Sequence, residues 1–204
     1  PSASSKDRAS AAAVLRALDV GAEIIAVAST GNAGSSLACV ASATGLQAVV
    51  IVPANAPVAK LTQALSFGAT VLAVQGSYDD AFDLCLAASA EFGWFNRSTG
   101  YNPFTREGKK VCAWEIWASL DGRVPDRVVV PTGDGNILSG MWKGWCELKE
   151  VGLIDRLPKI DCAQSEGSDA ISRTVQMIRN TGSSVVDWAD VDVDPVKAST
   201  VADS

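Results

Sequence analysis

IIAVASTGNAGSSLACVASA, residues 24–43, is the stretch of sequence that decides the fold. Its first five residues are apolar, which is typical of a buried parallel strand. Small polar residues follow, including Gly31 and Gly34, and a segment typical of a helix then runs to Gly45. The first turn of a helix has unpaired N–H groups and a positive dipole end, so it favours an anion. Asn32 adds an amide that both donates and accepts hydrogen bonds. An ordinary tight turn without a ligand is the alternative, because one glycine-rich turn is a weak motif.

Strand and helix patterns alternate through the rest of the chain. Apolar runs predict further strands at 47–53, 70–74, 94–96, 126–131 and 159–164. An Ala-rich helical pattern runs to Leu18, and further helical patterns occur at 58–67, 78–92, 104–120 and 168–179. The acidic tail 183–204 has no clear period. Such alternation predicts an α/β protein, with a parallel sheet covered by helices on both faces.

Composition narrows the function. The chain has 204 residues, 48% of them hydrophobic, and a net charge of −6. The acidic balance argues against nucleic acid or an anionic membrane as a partner, and no apolar run is long enough to span a bilayer. There is no histidine, which excludes Ser-His-Asp and Cys-His catalysis and most metal sites. Five scattered cysteines without a CxxC pair predict reduced, mostly buried thiols in a cytoplasmic protein.

Three further segments carry candidate functional residues. Lys6 stands at the entrance of the first predicted helix, where a lysine near positive groups becomes nucleophilic. The turn Gly133, Asp134, Gly135, Asn136 follows a strand and precedes a helix, as a phosphate-binding nest does. Arg106, with neighbouring lysines, could bind a phosphate. A surface charge, a tight turn and a solvated face are the respective structural alternatives.

The segments SSKDR, STGNAGSS, NPFTREGKK and PTGDGN occur here in one order. In that order they resemble the pyridoxal-phosphate enzymes of the tryptophan-synthase-β fold type, and among them the threonine synthase family. The resemblance covers most of residues 1–164, and the tail 200–204 resembles a segment found further along threonine synthases. It therefore implies an internal portion of a longer enzyme, with a two-lobed, three-layer fold. The smaller lobe would be 21–120, and 1–20 with 121–204 would belong to the larger cofactor-binding lobe.

The resemblance also implies roles for individual residues. Lys6 matches the lysine that forms the Schiff base with pyridoxal 5'-phosphate, and Asn32 matches the asparagine beside the phenolic oxygen of that cofactor. The segment Ser29, Thr30, Gly31, Asn32 matches the loop that binds the substrate carboxylate. Residues that match the loop for the cofactor phosphate are Gly133, Asp134, Gly135 and Asn136. Asn102 and Arg106 fall in the region that binds the substrate phosphate.

The implied reaction converts O-phospho-L-homoserine and water to L-threonine and phosphate. The partner would be this small molecule, and a homodimer is one assembly that the sequence allows. The family has Gly where Ala3 stands and Phe where Ser5 stands, and no stretch here matches its hydroxyl partner for the pyridine nitrogen. A serine/threonine dehydratase, a cysteine synthase and a non-catalytic truncated α/β domain are the alternatives.

Overall fold

The computed structural model describes residues 2–166 and 169–182. Within these ranges the chain forms two compact units, one of residues 2–112 and one that begins at residue 113. The lobe boundary expected near residue 120 and the grouping of residues 1–20 with the later part of the chain stay predictions. Ser168, where the last helix was expected to begin, and the acidic tail 183–204 with its segment 200–204 lie outside the described residues.

Six strands and eight helices are present in the described part of the chain. The strands are β1 Ile24–Ala28, β2 Gln47–Pro53, β3 Thr70–Val74, β4 Phe95–Asn96, β5 Arg127–Pro131 and β6 Lys159–Ala163. The helices are α1 Lys6–Asp19, α2 Asn32–Thr44, α3 Val58–Ser66, α4 Tyr78–Phe92, α5 Pro103–Lys109, α6 Val111–Ser119, α7 Asn136–Glu150 and α8 Ala170–Thr181. The predicted alternation of strands and helices is therefore confirmed.

The first unit is built on a four-stranded parallel sheet in the order β3-β2-β1-β4. Because side chains alternate across a strand, Ile25 and Val27 pack into one core with residues of α1, α2 and α3. Ala26 and Ala28 face the opposite side, where α4 contributes Ala81 and Cys85. Burial on both faces explains why β1 and β2 are almost continuously apolar.

The long helix expected at 104–120 is divided into α5 and α6. The N–H of Lys110 donates to the carbonyl of Glu107, three residues back, which is a tighter turn than an α-helix makes. Asn102 is the N-cap of α5, and its side chain accepts a hydrogen bond from the N–H of Phe104, while Pro103 is the first residue of the helix. α5 is thereby a separate short element, and it packs against α1.

The second unit contains a two-stranded parallel sheet in which β5 pairs with β6 from Arg127–Lys159 to Pro131–Ala163. Helix α7 packs on this sheet. The hydrophobic core of the second unit is small, with buried side chains at Ala113, Trp145, Leu148 and Ile154. Val130 is buried, but its neighbour Val129 is 62% exposed, so one face of β5 is largely uncovered.

All five cysteines are free thiols, as predicted. The expectation that most are buried is wrong, since only Cys85 is buried and the other four are half-buried. They lie on α2, α6, α7 and β6, where an apolar neighbourhood in sequence does not guarantee a place in the core. None of the described helices combines the length and the apolar character needed to cross a membrane.

Candidate functional site

Lys6 is the first residue of α1, and it is only 6% exposed. Its backbone N–H donates to the Oγ of Ser4 at 3.2 Å, which fixes the entrance of the helix. Ala3, three residues earlier, has a φ of 62°, a left-handed conformation that favours glycine. Lys6 is therefore not an exposed surface charge, and its assignment as the lysine that binds the cofactor stays a prediction.

The loop Ser29, Thr30, Gly31, Asn32 connects β1 to α2. Its base is held by the N–H of Ser29, which donates to the carbonyl of Ile51 at 3.1 Å, and by the hydroxyl of Tyr78, which donates to the carbonyl of Ala28 at 3.3 Å. No side chain caps α2, so the N–H groups of its first turn are not bound by a capping residue. The loop therefore has the form of an anion site.

Gly34 brings the first turn of α2 close to this loop. A Cβ at this position would lie 2.8 Å from Cγ1 of Val50 and 3.2 Å from the carbonyl oxygen of Ser29. The glycine is therefore required by close packing of helix, strand and loop.

Asn32 makes a contact that the sequence does not predict. Its Oδ1 accepts a hydrogen bond at 2.5 Å from Nζ of Lys60, which stands on α3. This places an ammonium beside the first residue of α2, and it orients the Asn32 amide so that its Nδ2 points away from Lys60. A cation and a helix N-terminus together favour a negatively charged ligand.

Polar side chains join α1 to α2 and β4 inside the first unit. The carboxyl of Asp7 accepts hydrogen bonds from the N–H and Oγ of Ser2 at 2.9 and 2.6 Å. Burial acts to raise the pKa of Asp7, but the hydrogen bonds from Ser2, Ser36 and Ser4 together hold it below its usual range. Because Ser36 lies one turn beyond Asn32, this network brings the start of α1 to the start of α2.

The guanidinium of Arg97 is completely buried in the same region. It donates to Oγ of Ser10 at 3.3 Å and to Oγ1 of Thr99 at 3.5 Å, and its Nε has no hydrogen-bond partner among the described residues. Burial lowers the pKa of Arg97 to about 10. Ser10 also accepts from Ser36 at 2.8 Å, so Arg97 ends the polar network that begins at Asp7.

The two residues expected to bind the substrate phosphate, Asn102 and Arg106, differ in their surroundings. Asn102 is buried and uses both ends of its amide internally, since Oδ1 accepts from the N–H of Phe104 and Nδ2 donates to the carbonyl of Asn96 at 2.7 Å. Arg106 is exposed, and its guanidinium makes no hydrogen bond with any residue that the structure describes. Arg106 is therefore available to a ligand, and Asn102 shapes the backbone on which Arg106 stands.

The loop Gly133, Asp134, Gly135, Asn136 connects β5 to α7 in the second unit. Gly135 has a φ of 80° and is the N-cap of α7, and as a glycine it offers the helix no side-chain acceptor. The carboxyl of Asp134 accepts from the N–H and Nδ2 of Asn136 at 2.9 and 2.7 Å. The N–H of Asn136 is thus already bound, and the remaining N–H groups of the loop and of the first turn of α7 form the nest.

Gln164 contacts this loop from the end of the neighbouring strand. Its Nε2 donates to the carbonyl of Gly133 at 3.4 Å, and its Oε1 accepts from the N–H and Oγ of Ser172 at 2.9 and 3.2 Å. Ile171 also packs on the loop, since a Cβ at Gly135 would lie 3.3 Å from its Cδ1. The beginning of α8 therefore lies against the 133–136 loop.

Sequence reasoning missed Lys60, Arg97 and Gln164. Lys60 is a single cation in an otherwise ordinary helix, and Arg97 follows a two-residue strand in a segment that looks like a solvated loop. The position of Gln164 could have indicated a role, because it directly follows β6 and ligand sites form at the carboxyl ends of parallel strands.

The buried lysine at a helix entrance, the strand–turn–helix loops before α2 and α7 and the parallel-sheet architecture are features of a class of enzymes that bind a phosphorylated aldehyde. The chain matches the family model described as "Pyridoxal-phosphate dependent enzyme" over residues 1–203. It therefore belongs to the family of pyridoxal-phosphate-dependent enzymes.

Curated relatives of this chain are threonine synthases. It is 39% identical over 172 residues to the threonine synthase of Methanocaldococcus jannaschii, which covers 84% of this chain and 42% of the relative. It is 37% identical over 169 residues to that of Synechocystis sp., which covers 82% of this chain and 44% of the relative. The chain thus spans less than half the length of these relatives.

Solved structures share the fold. A threonine deaminase from T.th. superposes with a TM-score of 0.72 at 22% identity, covering 85% of this chain and 54% of that protein. The serine racemase from Dictyostelium discoideum superposes with a TM-score of 0.73 at 20% identity and the same coverages. At these identities the likeness concerns the fold alone, and it confirms the predicted α/β fold of the tryptophan-synthase-β type.

The residues present fit the family's cofactor, pyridoxal 5'-phosphate. The donor set matches its chemistry, since a backbone nest at 133–136 suits a dianionic phosphate and the amine of Lys6 suits an aldehyde. Gly135 supplies the positive φ that the nest requires. The role of each of these residues stays a prediction.

Proposed function

We propose that the protein acts as a threonine synthase, which converts O-phospho-L-homoserine and water to L-threonine and phosphate. The main support is the similarity to threonine synthases over more than four fifths of this chain. The acidic, histidine-free composition agrees with it, because the proposed chemistry needs a lysine and a cofactor but no histidine. We place this activity in the cytoplasm, in keeping with five free thiols.

Each candidate residue has a part in this proposal. Lys6 would hold the cofactor through its aldehyde group and would move protons at Cα and Cβ of the substrate. The 29–32 loop binds the substrate carboxylate through its N–H groups, and Asn32 contacts the phenolic oxygen of the cofactor. The 133–136 loop binds the cofactor phosphate. When bound, pyridoxal phosphate supplies an electron sink for the substrate carbanions.

A cationic side chain is available to bind the phosphate that leaves the substrate. Arg106 is exposed, and its planar guanidinium can bind a phosphate through two hydrogen bonds. Asn102 caps the helix that carries Arg106, so it acts on the same phosphate through the backbone of α5.

Covalent labelling tests the central assignment. The purified protein is incubated with pyridoxal phosphate, reduced with borohydride and digested, and the modified lysine is identified by mass spectrometry. We expect the label at Lys6, its loss in Lys6→Ala and its retention in Lys143→Ala, which changes an exposed lysine of α7. A label on a different lysine of the unaltered protein would refute the assignment.

Substrate choice tests the reaction. Release of phosphate from O-phospho-L-homoserine is compared with turnover of L-threonine and of O-acetyl-L-serine. We expect turnover of phosphohomoserine only. If it is inert while one of the other two reacts, the protein is a dehydratase or a cysteine synthase of the same fold, and if none reacts and no label forms, it is a non-catalytic domain.

A further inference from the structure

Gln164 lies beside the 133–136 loop, although it belongs to no motif of the sequence. It directly follows β6, whose last residue, Ala163, accepts a hydrogen bond at 2.8 Å from the N–H of Thr132. The side chain of Gln164 therefore starts where the strand pairing ends. From there its amide contacts Gly133, 31 residues earlier in the sequence, and Ser172, 8 residues later.

The amide of Gln164 is used at both ends. Its nitrogen donates to the carbonyl of Gly133 at 3.4 Å, and its oxygen accepts two hydrogen bonds from Ser172. One side chain thus connects the loop to the first turn of α8. Since an amide has a distinct donor end and acceptor end, only glutamine or a close equivalent can make both contacts.

The geometry of the peptide bond gives this contact a consequence for the ligand site. The carbonyl of Gly133 and the N–H of Asp134 belong to the same planar peptide unit and point in opposite directions. A carbonyl held toward Gln164 therefore fixes the Asp134 N–H on the other side of the loop. With the N–H of Asn136 bound by the Asp134 carboxyl, the Asp134 N–H is one of the few loop donors left for a phosphate.

We propose that Gln164 is a positioning residue for the phosphate of pyridoxal phosphate, acting through the peptide unit between Gly133 and Asp134. This inference rests on the proposed role of the 133–136 loop. Gln164 does not touch the cofactor itself. It keeps one backbone donor aimed at the phosphate group and closes the loop against α8.

A pair of ligands separates this role from a general effect on folding. Pyridoxal phosphate and pyridoxal share the ring and the aldehyde, and only the first has a phosphate. Dissociation constants for both are measured by fluorescence titration for the unaltered protein, Gln164→Ala, Gln164→Glu and Gln164→Met. The last variant keeps the length and the packing of the side chain without its amide.

We expect Gln164→Ala and Gln164→Met to weaken binding of pyridoxal phosphate about tenfold and to leave that of pyridoxal within about twofold. Gln164→Glu should weaken it further, because a carboxylate cannot donate to a carbonyl and adds negative charge near the phosphate. The matched control is Ser172→Ala, which keeps the backbone N–H bond to Gln164 and should change neither constant more than about twofold.

Two outcomes would overturn the inference. If the Gln164 variants weaken both ligands equally, the residue only supports the fold, and if they weaken neither, it has no role in binding. Both of these outcomes are interpreted on the condition that the unaltered protein binds pyridoxal phosphate more tightly than pyridoxal. Absence of that preference would instead refute the role of the 133–136 loop in the proposed function, together with this inference.

Discussion

At the scale of single residues, Ala3 is one of two described non-glycine residues with a left-handed backbone, the other being Asp121. The φ of Ala3, 62°, lies in the left-handed region, which costs an alanine about 1 kcal/mol relative to glycine. The neighbouring Ser2 is tied to Asp7 by two hydrogen bonds, so this conformation is imposed by contacts that also fix the start of α1. Strain next to Lys6 is therefore built into the candidate site.

We expect Ala3→Gly to stabilise the protein by about 0.5–1 kcal/mol, because relief of strain exceeds the added entropy of the unfolded chain. The midpoint of denaturant unfolding measures the change. Ala11→Gly in the interior of α1 is the matched control, and it should destabilise by a similar amount, since helical backbone has no such strain. Equal losses from both variants would show that residue 3 carries no strain.

The same scale shows what sequence can and cannot give for the site. Lys6, Asn32 and the 133–136 glycines belong to local motifs, so their chemistry is visible in a short window of sequence. Lys60 contacts the 29–32 loop and Gln164 the 133–136 loop across 28 and 31 residues of sequence, respectively. Residue type alone does not predict such pairs, because they depend on how helices and strands pack.

At the scale of secondary-structure elements, α1 and α5 approach each other closely at Gly108. A Cβ on Gly108 would lie 2.2 Å from the carbonyl oxygen of Arg8 and 2.9 Å from Cβ of Ala12. The obstructing atoms include backbone of α1, which cannot turn away as a side chain can. Gly108 is therefore what allows α5 to approach the helix that begins with Lys6.

We expect Gly108→Ala to destabilise the protein by about 3 kcal/mol, because α1 and α5 must separate to admit the new methyl group. Thermal unfolding measures the loss. Gly34→Ala is the comparison, since its closest obstruction is a side-chain methyl of Val50 at 2.8 Å and not backbone at 2.2 Å, and it should cost less, about 1–2 kcal/mol. A larger loss at Gly34 than at Gly108 would contradict this ranking.

Elements were predicted well where a local signal marks their ends. Ser77 forms a capping box with Asp80 at the start of α4, and Gly45 and Gly93 end their helices in the left-handed conformation, as their positions in sequence indicate. The division between α5 and α6 has no such signal, because the residue at the break, Lys110, is not a helix-breaking type such as glycine or proline. It follows from a tight turn at Lys110 in a helical segment packed against α1 through Gly108.

At the scale of the whole molecule, the two units differ in how completely their sheets are covered. In the first unit nearly all residues of β1 and β2 are buried, and helices cover both faces. In the second unit β6 has no buried residue and β5 has one, Val130. Resistance to local opening rises with buried apolar contact, so the two sheets should differ in stability.

Hydrogen exchange followed by mass spectrometry measures this difference within one sample. We expect amides of β1 and β2 to exchange at least about tenfold more slowly than those of β5 and β6, because opening the second sheet exposes far less apolar surface. Adding pyridoxal phosphate should slow exchange at residues 133–136 and in β5, since a bound ligand stabilises the form that binds it. Equal protection of both sheets without ligand would show that burial in the described residues does not set their relative stability.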